Sequence, residues 1–432
     1  MKISLFQGIL SAFFGIAALV GIFVFATHTG TSTGSSSTTV GPVIIWGTLP
    51  KTAMQNALTA VAQLDQSLKS VSYEQKNEAT LPTDLAAAIA TGNAPDLVLA
   101  SQEDLTSLAK LVTPVPLSSL SAATFTATFA EEGGIFAAPA GAGYYGIPFL
   151  IDPLVLFSNH AILSSSGIAK PPATWEALTG LVPNVAILTP TKQITRGLIA
   201  LGTYDNVHNA RAILSALFLQ TGIPISSYGN NGLVANLGGG TQAGQAVLDF
   251  YTQFADPSKV SYTWNESLPD SQQAFLNGTL ALYIGYASEA RFFSAANPNL
   301  DYTVTPLPQP ATATLKSAYG LVYAFMIPRG AKNSSGAYQA AALLSNSAEQ
   351  AIAAPITGLT PATLTDLATA PANPVAAVAY AEALYTTGWL SPAPVATDPI
   401  FSSMINGVIS GRLAPDTALT SSESSLTSLL QK

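Results

Sequence analysis

The stretch LPTDLAAAIATGNAPDLVL, residues 81–99, limits the possible folds more than any other part of this chain. Apolar residues recur at helical spacing behind Thr83, a residue type that caps helix N-termini. Gly92 suits a left-handed helix end, and Pro95 prevents the helix from continuing. The branched apolar residues 97–99 then predict a short buried strand. A helix, a tight turn and a buried strand in this order predict an α/β layer.

The same alternation continues along the chain. The run VIIW at 43–46 predicts a buried strand, and apolar residues at 53–61 predict the helix that follows it. Another helix, turn and strand are predicted within residues 273–293. We therefore expect a largely parallel sheet covered by helices. The Ala-rich C-terminal third predicts packed helices over residues 337–352, 374–388, 400–410 and 415–430.

Composition excludes several classes of function. The 432 residues suffice for two globular bodies, but only 9% of them are charged and the net charge is −8. Sixteen Lys and Arg residues without a basic cluster argue against a nucleic-acid partner. The absence of cysteine excludes thiol catalysis and cysteine-ligated metals, and the three histidines lie far apart in sequence. We expect no metal and no cofactor.

The N-terminal region predicts attachment to a membrane. Residues 8–26, GILSAFFGIAALVGIFVFA, form an apolar run of 19 residues that is long enough to span a bilayer as a helix. Lys2 precedes this run, so the bulk of the chain is expected outside the cell, anchored in the cytoplasmic membrane. Residues 1–28 are thus a membrane anchor or, alternatively, a cleaved signal segment. Residues 29–42, rich in Ser, Thr and Gly, predict a flexible tether.

Several motifs of this chain resemble those of one protein family and occur in the same order. After the GNAPDLV turn come YGIPFLIDPLVLFSNHAILSSSGIAKPPATWEAL, AFLNGTLALYIGY, LDYTVTPLPQP and INGVISGRLAPDTALTSSESSL. These segments resemble the carbohydrate-type extracellular solute-binding proteins of ABC importers, the maltose-binding-protein-like class. The resemblance covers roughly residues 43–430. One departure is FSNH at 157–160, where the family usually has Tyr-Asn-Lys, so the identity of the ligand does not transfer.

The resemblance implies a two-lobed, periplasmic-binding-protein-like α/β fold with a hinge and a central cleft, preceded here by the N-terminal transmembrane helix. Lobe one is expected at 41–150 and 304–350, and lobe two at 151–303 and 351–432. A second hinge strand is expected near residues 302–306. The predicted hinge residues are Gly146, Pro148 and Asp152.

Candidate ligand-binding residues combine the resemblance with the chemistry of sugars. Sugars present apolar C–H faces and many hydroxyl groups, which aromatic rings, amides and carboxylates bind well. Trp46 follows the first strand, at the end where open α/β sheets bind ligands. A core role for the aromatic residues, and a cap or hinge role for the acidic ones, remains an alternative. The predicted ligand-binding residues are Trp46, Glu103, Tyr286, Glu289, Tyr319, Trp264 and Trp389.

The predicted function is that of an extracellular solute-binding protein, not an enzyme. As a monomer it would capture a sugar or oligosaccharide between its lobes and deliver it to the permease subunits of an ABC transporter. One alternative is a surface glycan-binding sensor or adhesin without transport. Another is a glycoside hydrolase, which needs a matched acid and base pair that no motif marks here. The scarcity of charge also suggests an acidic habitat, because few surface groups would change charge there.

Overall fold

The computed structural model describes residues 40–230 and 232–431. The predicted anchor at 1–28 and most of the tether at 29–42 lie outside the described residues. Among the residues described, no helix combines the length and apolar character needed to cross a bilayer.

Strands and helices alternate as the sequence predicts. The strands are β1 (Val43–Gly47), β2 (Val71–Gln75), β3 (Leu97–Ser101), β4 (Val112–Thr113), β5 (Ile147–Asn159), β6 (Ile187–Leu188), β7 (Ile194–Ile199), β8 (Ile225–Gly229), β9 (Gly232–Asn236), β10 (Leu280–Tyr286), β11 (Tyr302–Thr305), β12 (Ala318–Pro328), β13 (Thr360–Pro361) and β14 (Thr386–Thr387). The helices are α1 (Lys51–Leu64), α2 (Leu81–Ala90), α3 (Leu105–Leu108), α4 (Ala122–Thr128), α5 (His160–Ser165), α6 (Trp175–Val185), α7 (Ala210–Gln220), α8 (Gln242–Thr252), α9 (Ser271–Leu276), α10 (Ala290–Ala296), α11 (Ser334–Leu344), α12 (Ser347–Thr357), α13 (Leu364–Leu367), α14 (Pro374–Ala383), α15 (Pro394–Ile409) and α16 (Pro415–Leu430).

The opening stretch folds as expected except at its start. Helix α2 begins at Leu81 with Thr80 as its N-cap residue, so Thr83 lies inside the helix and is not its cap. The position of Pro82 explains the shift, because proline is tolerated only in the first turn of a helix. Gly92 takes the left-handed conformation, with φ of +70°. Strand β3 follows and is buried along its whole length.

One mixed sheet runs through the described part of the chain, in the order β2-β1-β3-β12-β5-β10-β7-β6. The neighbours β1, β2 and β3 are parallel to one another. Strand β12 is antiparallel to β3 and β5, while β10 is antiparallel to β5 and parallel to β7. The parallel arrangement predicted for much of the sheet is therefore interrupted at its centre by two antiparallel strands, β12 and β5.

Buried apolar side chains form two hydrophobic clusters on this sheet. The first cluster contains, among others, Val43, Leu58, Leu99, Phe149, Ile151, Phe325, Ala354 and Leu359. The second cluster contains, among others, Leu154, Phe157, Ala212, Trp264, Phe275, Tyr319, Trp389 and Phe401. Two cores of this kind are the physical basis of two lobes.

Strand β5 passes from one cluster to the other. Its residues Ile147 to Ile151 belong to the first cluster, and Leu154 to Phe157 belong to the second. The change occurs at Asp152 and Pro153, which pair with β12 at Leu321 and Gly320. All thirteen residues of β5 are buried, which explains why its sequence reads as a nearly continuous apolar run.

The second strand that passes between the clusters is β12, not the segment expected near 302–306. Tyr319 belongs to the second cluster, while Val322 and Phe325 belong to the first. Strand β11 instead pairs with the end of β5 that lies in the second cluster. The second crossing strand was therefore expected at the wrong place in the chain. Strand β11 stays within the second cluster, and a long loop then leads to β12, which makes the crossing.

Candidate functional site

Polar residues gather at the carboxyl end of β3, where a short 3-10 turn, Gln102–Asp104, leaves the sheet. The Gln102 side chain fixes this turn to β12. Its amide nitrogen donates to the carbonyl oxygen of Gly320 at 2.9 Å, and its oxygen accepts from the backbone N–H of Val322 at 2.8 Å. Both hydrogen bonds are buried, so the turn holds the next two side chains, Glu103 and Asp104, in defined positions.

Glu103 forms an ion pair with Arg211, at the start of α7. The guanidinium donates from Nε to Oε1 at 3.1 Å and from Nη2 to Oε2 at 2.8 Å, a bidentate geometry. The buried hydroxyl of Tyr319 also donates to Glu103. Because β3 belongs to the first cluster and α7 to the second, this ion pair connects the two lobes.

Arg211 also binds Asp398 on α15, with 2.6 Å between Nη1 and Oδ1. The hydroxyl of Tyr204 donates to the same carboxylate oxygen at 2.6 Å. Burial alone would lower the pKa of Arg211, but Glu103 and Asp398 outweigh it and raise that pKa well above its usual value. Arg211 therefore stays charged. A cavity of about 280 Å³ lies beside this cluster, and Arg211, Asp398, Tyr204 and Tyr286 contribute to its lining.

Tyr286, the last residue of β10, lines this cavity, and Glu289 holds the turn that follows the strand. Glu289 Oε1 accepts from the backbone N–H of Tyr286 and from Asn209 Nδ2, both at 2.8 Å. Its other oxygen accepts from Gln272 at 2.8 Å and from the hydroxyl of Tyr283. With both oxygens occupied, Glu289 positions Tyr286 and has little free capacity for a ligand.

The predicted hinge residues lie at or in the strand that joins the lobes. Gly146 immediately precedes β5, and a side chain there would clash with Ala324 Cβ at 2.8 Å. Pro148 and Asp152 are part of β5 and are buried. Asp152 accepts from the backbone N–H of Ser288 at 3.1 Å. Burial raises the pKa of Asp152 to about 7. Their role as a hinge remains a prediction.

The first-lobe side of the site carries further acidic groups. Asp104 is only 1% exposed, and its Oδ2 has no hydrogen-bond partner among the described residues. Burial raises the pKa of Asp104 to about 8, and the charges of Glu78 and Glu103 add to the shift. Loss of solvent also raises the pKa of Glu78, with a further contribution from Glu103. These acidic groups therefore influence one another across the site.

Trp46, at the end of β1, is half-buried and already has a cation on one face. Lys76 Nζ lies 3.8 Å from the centroid of the indole ring and 3.2 Å from Glu74 Oε2. The cation–π contact fixes the ring and covers one of its two faces. Because Trp46 also packs against the first cluster, at most its opposite face is left to stack on a ligand.

Trp264 and Trp389 lie in the second cluster, with 1% and 2% of their surface exposed. The indole N–H of Trp264 donates to Asn206 Oδ1 at 3.3 Å, and that of Trp389 donates to Ser215 Oγ at 2.9 Å. Both rings are packed and their polar atoms are paired, so neither presents a face to a ligand. The structure brings Glu103, Tyr319, Tyr286 and Glu289 together, and it leaves these two tryptophans in the core.

Arg211, Asp398, Tyr204 and Asp104 are site residues that the sequence interpretation missed. One signal was present for Arg211, because it is a lone cation at the start of the apolar helix ARAILSALFLQ. A cation is unfavourable at the positive end of a helix, so its presence there indicates a specific partner. Asp398 carries no comparable signal, since it meets Arg211 only through folding, across 187 positions of the chain.

Comparisons with known proteins place these observations in a family. The family model described as bacterial extracellular solute-binding protein matches residues 65–381. No curated protein sequence matches the chain. Solved structures resemble it in fold at low sequence identity. A cyclo/maltodextrin-binding protein in complex with maltotetraose shares 14% identity, with a TM-score of 0.72 over 92% of this chain and 99% of its own.

Two further structures are similar in fold. The cyclic α-maltosyl-1,6-maltose binding protein of Arthrobacter globiformis shares 15% identity, with a TM-score of 0.72 over 90% of this chain and all of its own. The maltose/maltodextrin-binding domain of Bdellovibrio bacteriovorus, bound to maltotriose, shares 17% identity, with a TM-score of 0.66 over 90% of this chain and 100% of its own. These likenesses confirm the two-lobed α/β fold predicted from the sequence.

The family match covers most of the described chain and includes β3, β5, Arg211 and Tyr286. Its members bind solutes outside the cell, which confirms the prediction of a binding protein and not an enzyme. This chain belongs to the bacterial extracellular solute-binding proteins.

Proposed function

We propose that this protein captures a sugar or oligosaccharide between its lobes and delivers it to the permease of an ABC transporter. The observation that carries this proposal is the Glu103–Arg211–Asp398 cluster, which joins the lobes beside the cavity that Tyr286 lines. Carboxylates, a guanidinium and an aromatic ring are the groups that bind the hydroxyls and apolar faces of a sugar. Maltotetraose and maltotriose in the structures of similar fold support the same ligand class.

Binding and closure test this proposal together. Calorimetric titration with maltotriose, mannotriose and glucosamine oligomers should give saturable binding for at least one saccharide. A ligand that contacts both lobes stabilises the closed arrangement, so X-ray scattering should show a smaller radius of gyration with that saccharide than without it. Failure of every saccharide to bind would overturn the proposal.

The contribution of the aromatic residues can be measured on the same ligand. Trp46→Ala and Tyr286→Ala should each weaken binding by about 1 kcal/mol, the scale of one aromatic contact. Trp264→Phe is the matched control, because that ring is buried in the second cluster. It should bind the ligand as the original protein does, even if it unfolds more easily. Normal binding by both Ala variants would place the ligand elsewhere.

The lobe division is also a proposal, and the clusters support a change in one boundary. Ala353, Ala354 and Leu359 pack in the first cluster, although the sequence interpretation gave residues 351–432 to lobe two. We therefore assign 351–367 to lobe one together with α11 and α12. Limited proteolysis followed by mass spectrometry should protect this segment together with β1 and β3.

Outside the described residues, we propose that 1–28 anchor the protein in the cytoplasmic membrane and that 29–42 hold the binding domain away from it. The support is the apolar run at 8–26 behind Lys2. The protein would then act at the cell surface as a monomer. N-terminal sequencing of protein from washed membranes should find residues 1–28 intact. A mature form that begins near residue 28 would overturn the anchor.

A further inference from the structure

The cleft contains more acidic than basic groups. Arg211 lies near acidic residues from several elements: Glu78 before α2, Glu103 and Asp104 after β3, and Asp398 in α15. The charge of Arg211 acts on the pKa of both Glu78 and Asp104, as does the charge of Glu103. Lys76 does not compensate for this excess, because it is held between Glu74 and the ring of Trp46. The site therefore carries an excess of negative charge once its acids ionise.

Arg211 is already occupied by two of these acids. Its Nε and Nη2 donate to Glu103, and its Nη1 donates to Asp398. No hydrogen bond from Arg211 to Asp104 or Glu78 accompanies these three in the described part of the chain. A second positive group would be needed to neutralise the remaining acids.

Asp104 identifies where that second group would lie. Its Oδ2 is buried without a partner among the described residues, in the same turn that presents Glu103 to the cleft. A buried carboxyl oxygen without a partner costs free energy, which a donor from outside the chain would recover. An ammonium group is the strongest such donor, since it brings three N–H groups and a positive charge.

We propose that the ligand is a saccharide with a protonated amine, whose ammonium group binds Asp104 and Glu78 while Arg211 continues to hold Glu103 and Asp398. This inference rests on the sugar-binding function proposed above. A neutral sugar would leave Asp104 unpaired or protonated. An amino sugar satisfies that oxygen, and its ring and hydroxyl groups remain free to contact Tyr286 and the opposite face of Trp46.

A matched set of ligands tests the inference on the full chain by calorimetric titration at pH 7. The glucosamine trimer carries amines, and its N-acetylated form has the same skeleton without charge. Maltotriose is a second neutral sugar, and spermidine is a cation without a sugar. We expect the glucosamine trimer to bind at least tenfold more tightly than its acetylated form.

Proton release gives a second readout. Asp104, with a pKa of about 8, is largely protonated at pH 7 and would ionise beside an ammonium group. The heat of binding the glucosamine trimer should therefore depend on the ionisation enthalpy of the buffer. Binding of the acetylated trimer should show no such dependence.

Asp104→Asn keeps the shape of the side chain and removes its charge. The variant should lose most of the tenfold preference and all of the proton release. Glu131→Gln is the control, since Glu131 is an exposed acid and its replacement changes the net charge equally. If Asp104→Asn does not fold, the inference is tested by the ligand comparison and the proton release of the unmodified protein.

The outcomes separate the two proposals. Equal or tighter binding of the neutral sugars would overturn the amine preference and leave the sugar-binding function standing. Binding of spermidine alone would support recognition of an amine and overturn the sugar-binding function. The absence of binding by all four ligands would overturn both.

Discussion

Two arginines, Arg211 and Arg291, each connect elements of the two hydrophobic clusters, but they differ in what accepts their hydrogen bonds. Arg211, in α7, binds the carboxylates of Glu103 and Asp398 beside the cleft. Arg291, in α10, donates to the backbone carbonyls of Pro355 and Ile356 at the end of α12. A groove of about 820 Å³ lies beside Arg291, lined largely by apolar and small residues.

The difference lies in charge and exposure. The acceptors of Arg211 are ionised groups, and Glu103 is only 1% exposed, so the charges are strongly coupled. Arg291 is exposed, its acceptors are neutral, and loss of solvent lowers its pKa. The ion pair beside the cleft can therefore respond to a charged ligand, whereas the contact in the groove joins Arg291 to neutral acceptors and acts as a brace between the lobes.

Removal of Arg211 should have the largest effect. Arg211→Met leaves Glu103 buried without its cation, which should lower the free energy of unfolding by about 3–5 kcal/mol. Loss of the ligand-binding geometry should weaken saccharide binding more than 100-fold. Urea denaturation and calorimetric titration measure the two effects. A loss of stability below 1 kcal/mol would contradict a stabilising role of Arg211 toward the buried Glu103.

The buried acids Asp104 and Asp152 should make stability depend on pH. The native pKa of Asp104 is about 8 and that of Asp152 about 7, both raised mainly by burial, whereas an unfolded Asp titrates near ~3.9. The native state thus holds more protons than the unfolded state between these values. Stability from these groups is complete below pH ~4 and is lost as pH rises to 7–8, by up to about 1.4 kcal/mol per pH unit for each group.

Denaturation midpoints at pH 5, 6, 7 and 8 measure this loss. Asp104→Asn should flatten the profile above pH 6, and Asp249→Asn, at an exposed position of α8, should leave it unchanged. A profile that rises toward pH 8 would contradict the prediction. The same measurement, extended to pH 4, tests the hypothesis of an acidic habitat, since a sharp loss of stability between pH 6 and 4 would count against it.

Substitution of Gly358 tests the contact between Arg291 and the end of α12. Its φ is +83°, and a Cβ there would lie 2.6 Å from Arg291 Nε. Gly358→Ala should cost about 1–2 kcal/mol for the left-handed backbone alone, and more for displacement of the guanidinium. Gly92→Ala is the matched control, because Gly92 has a similar φ of +70° and a Cβ there would meet no atom within 4 Å. Equal costs from thermal denaturation would show that Arg291 moves aside freely.

Arg291→Met should have the smallest effect. The loss of two hydrogen bonds to exposed carbonyls should cost about 1 kcal/mol or less. Saccharide affinity should stay within twofold of the original value, in contrast to Arg211→Met. If Arg291→Met weakens binding as much as Arg211→Met does, the two arginines do not differ in function.

Local chemistry predicted much of the fold. Gly92 and Pro95 mark the end of α2, and the apolar runs of β3 and β5 are visible in the sequence because these strands are buried on both faces. Strand β1 was also predicted as buried, but only alternate residues of it are, and Ile44 is exposed. The exact cap of α2 depended on Pro82, the residue just before the expected cap Thr83, and was missed.

The site was predicted only in part, for a physical reason. Glu103 follows β3 and Tyr286 ends β10, so both could be placed by the rule that strand ends carry ligand residues. Arg211 reaches Glu103 across 108 positions and Asp398 across 187, so neither contact leaves a local pattern in the sequence. Trp264 and Trp389 shared the loop context of ligand aromatics, yet burial of the ring is decided by packing that a local sequence window does not contain.

The passage of β5 and β12 between the clusters also orders the folding of the chain. The first cluster joins the N-terminal strands to β12 and α11, and Asn333, the N-cap residue of α11, donates to the carbonyl of Val40 across 293 positions. As the chain emerges N-terminus first, this core must wait until residues beyond 333 are available. Such long-range closure slows folding. The N-terminal strands β1 to β3 are therefore synthesised well before β12, their neighbour at the centre of the sheet. The first lobe begins to form first but is completed late.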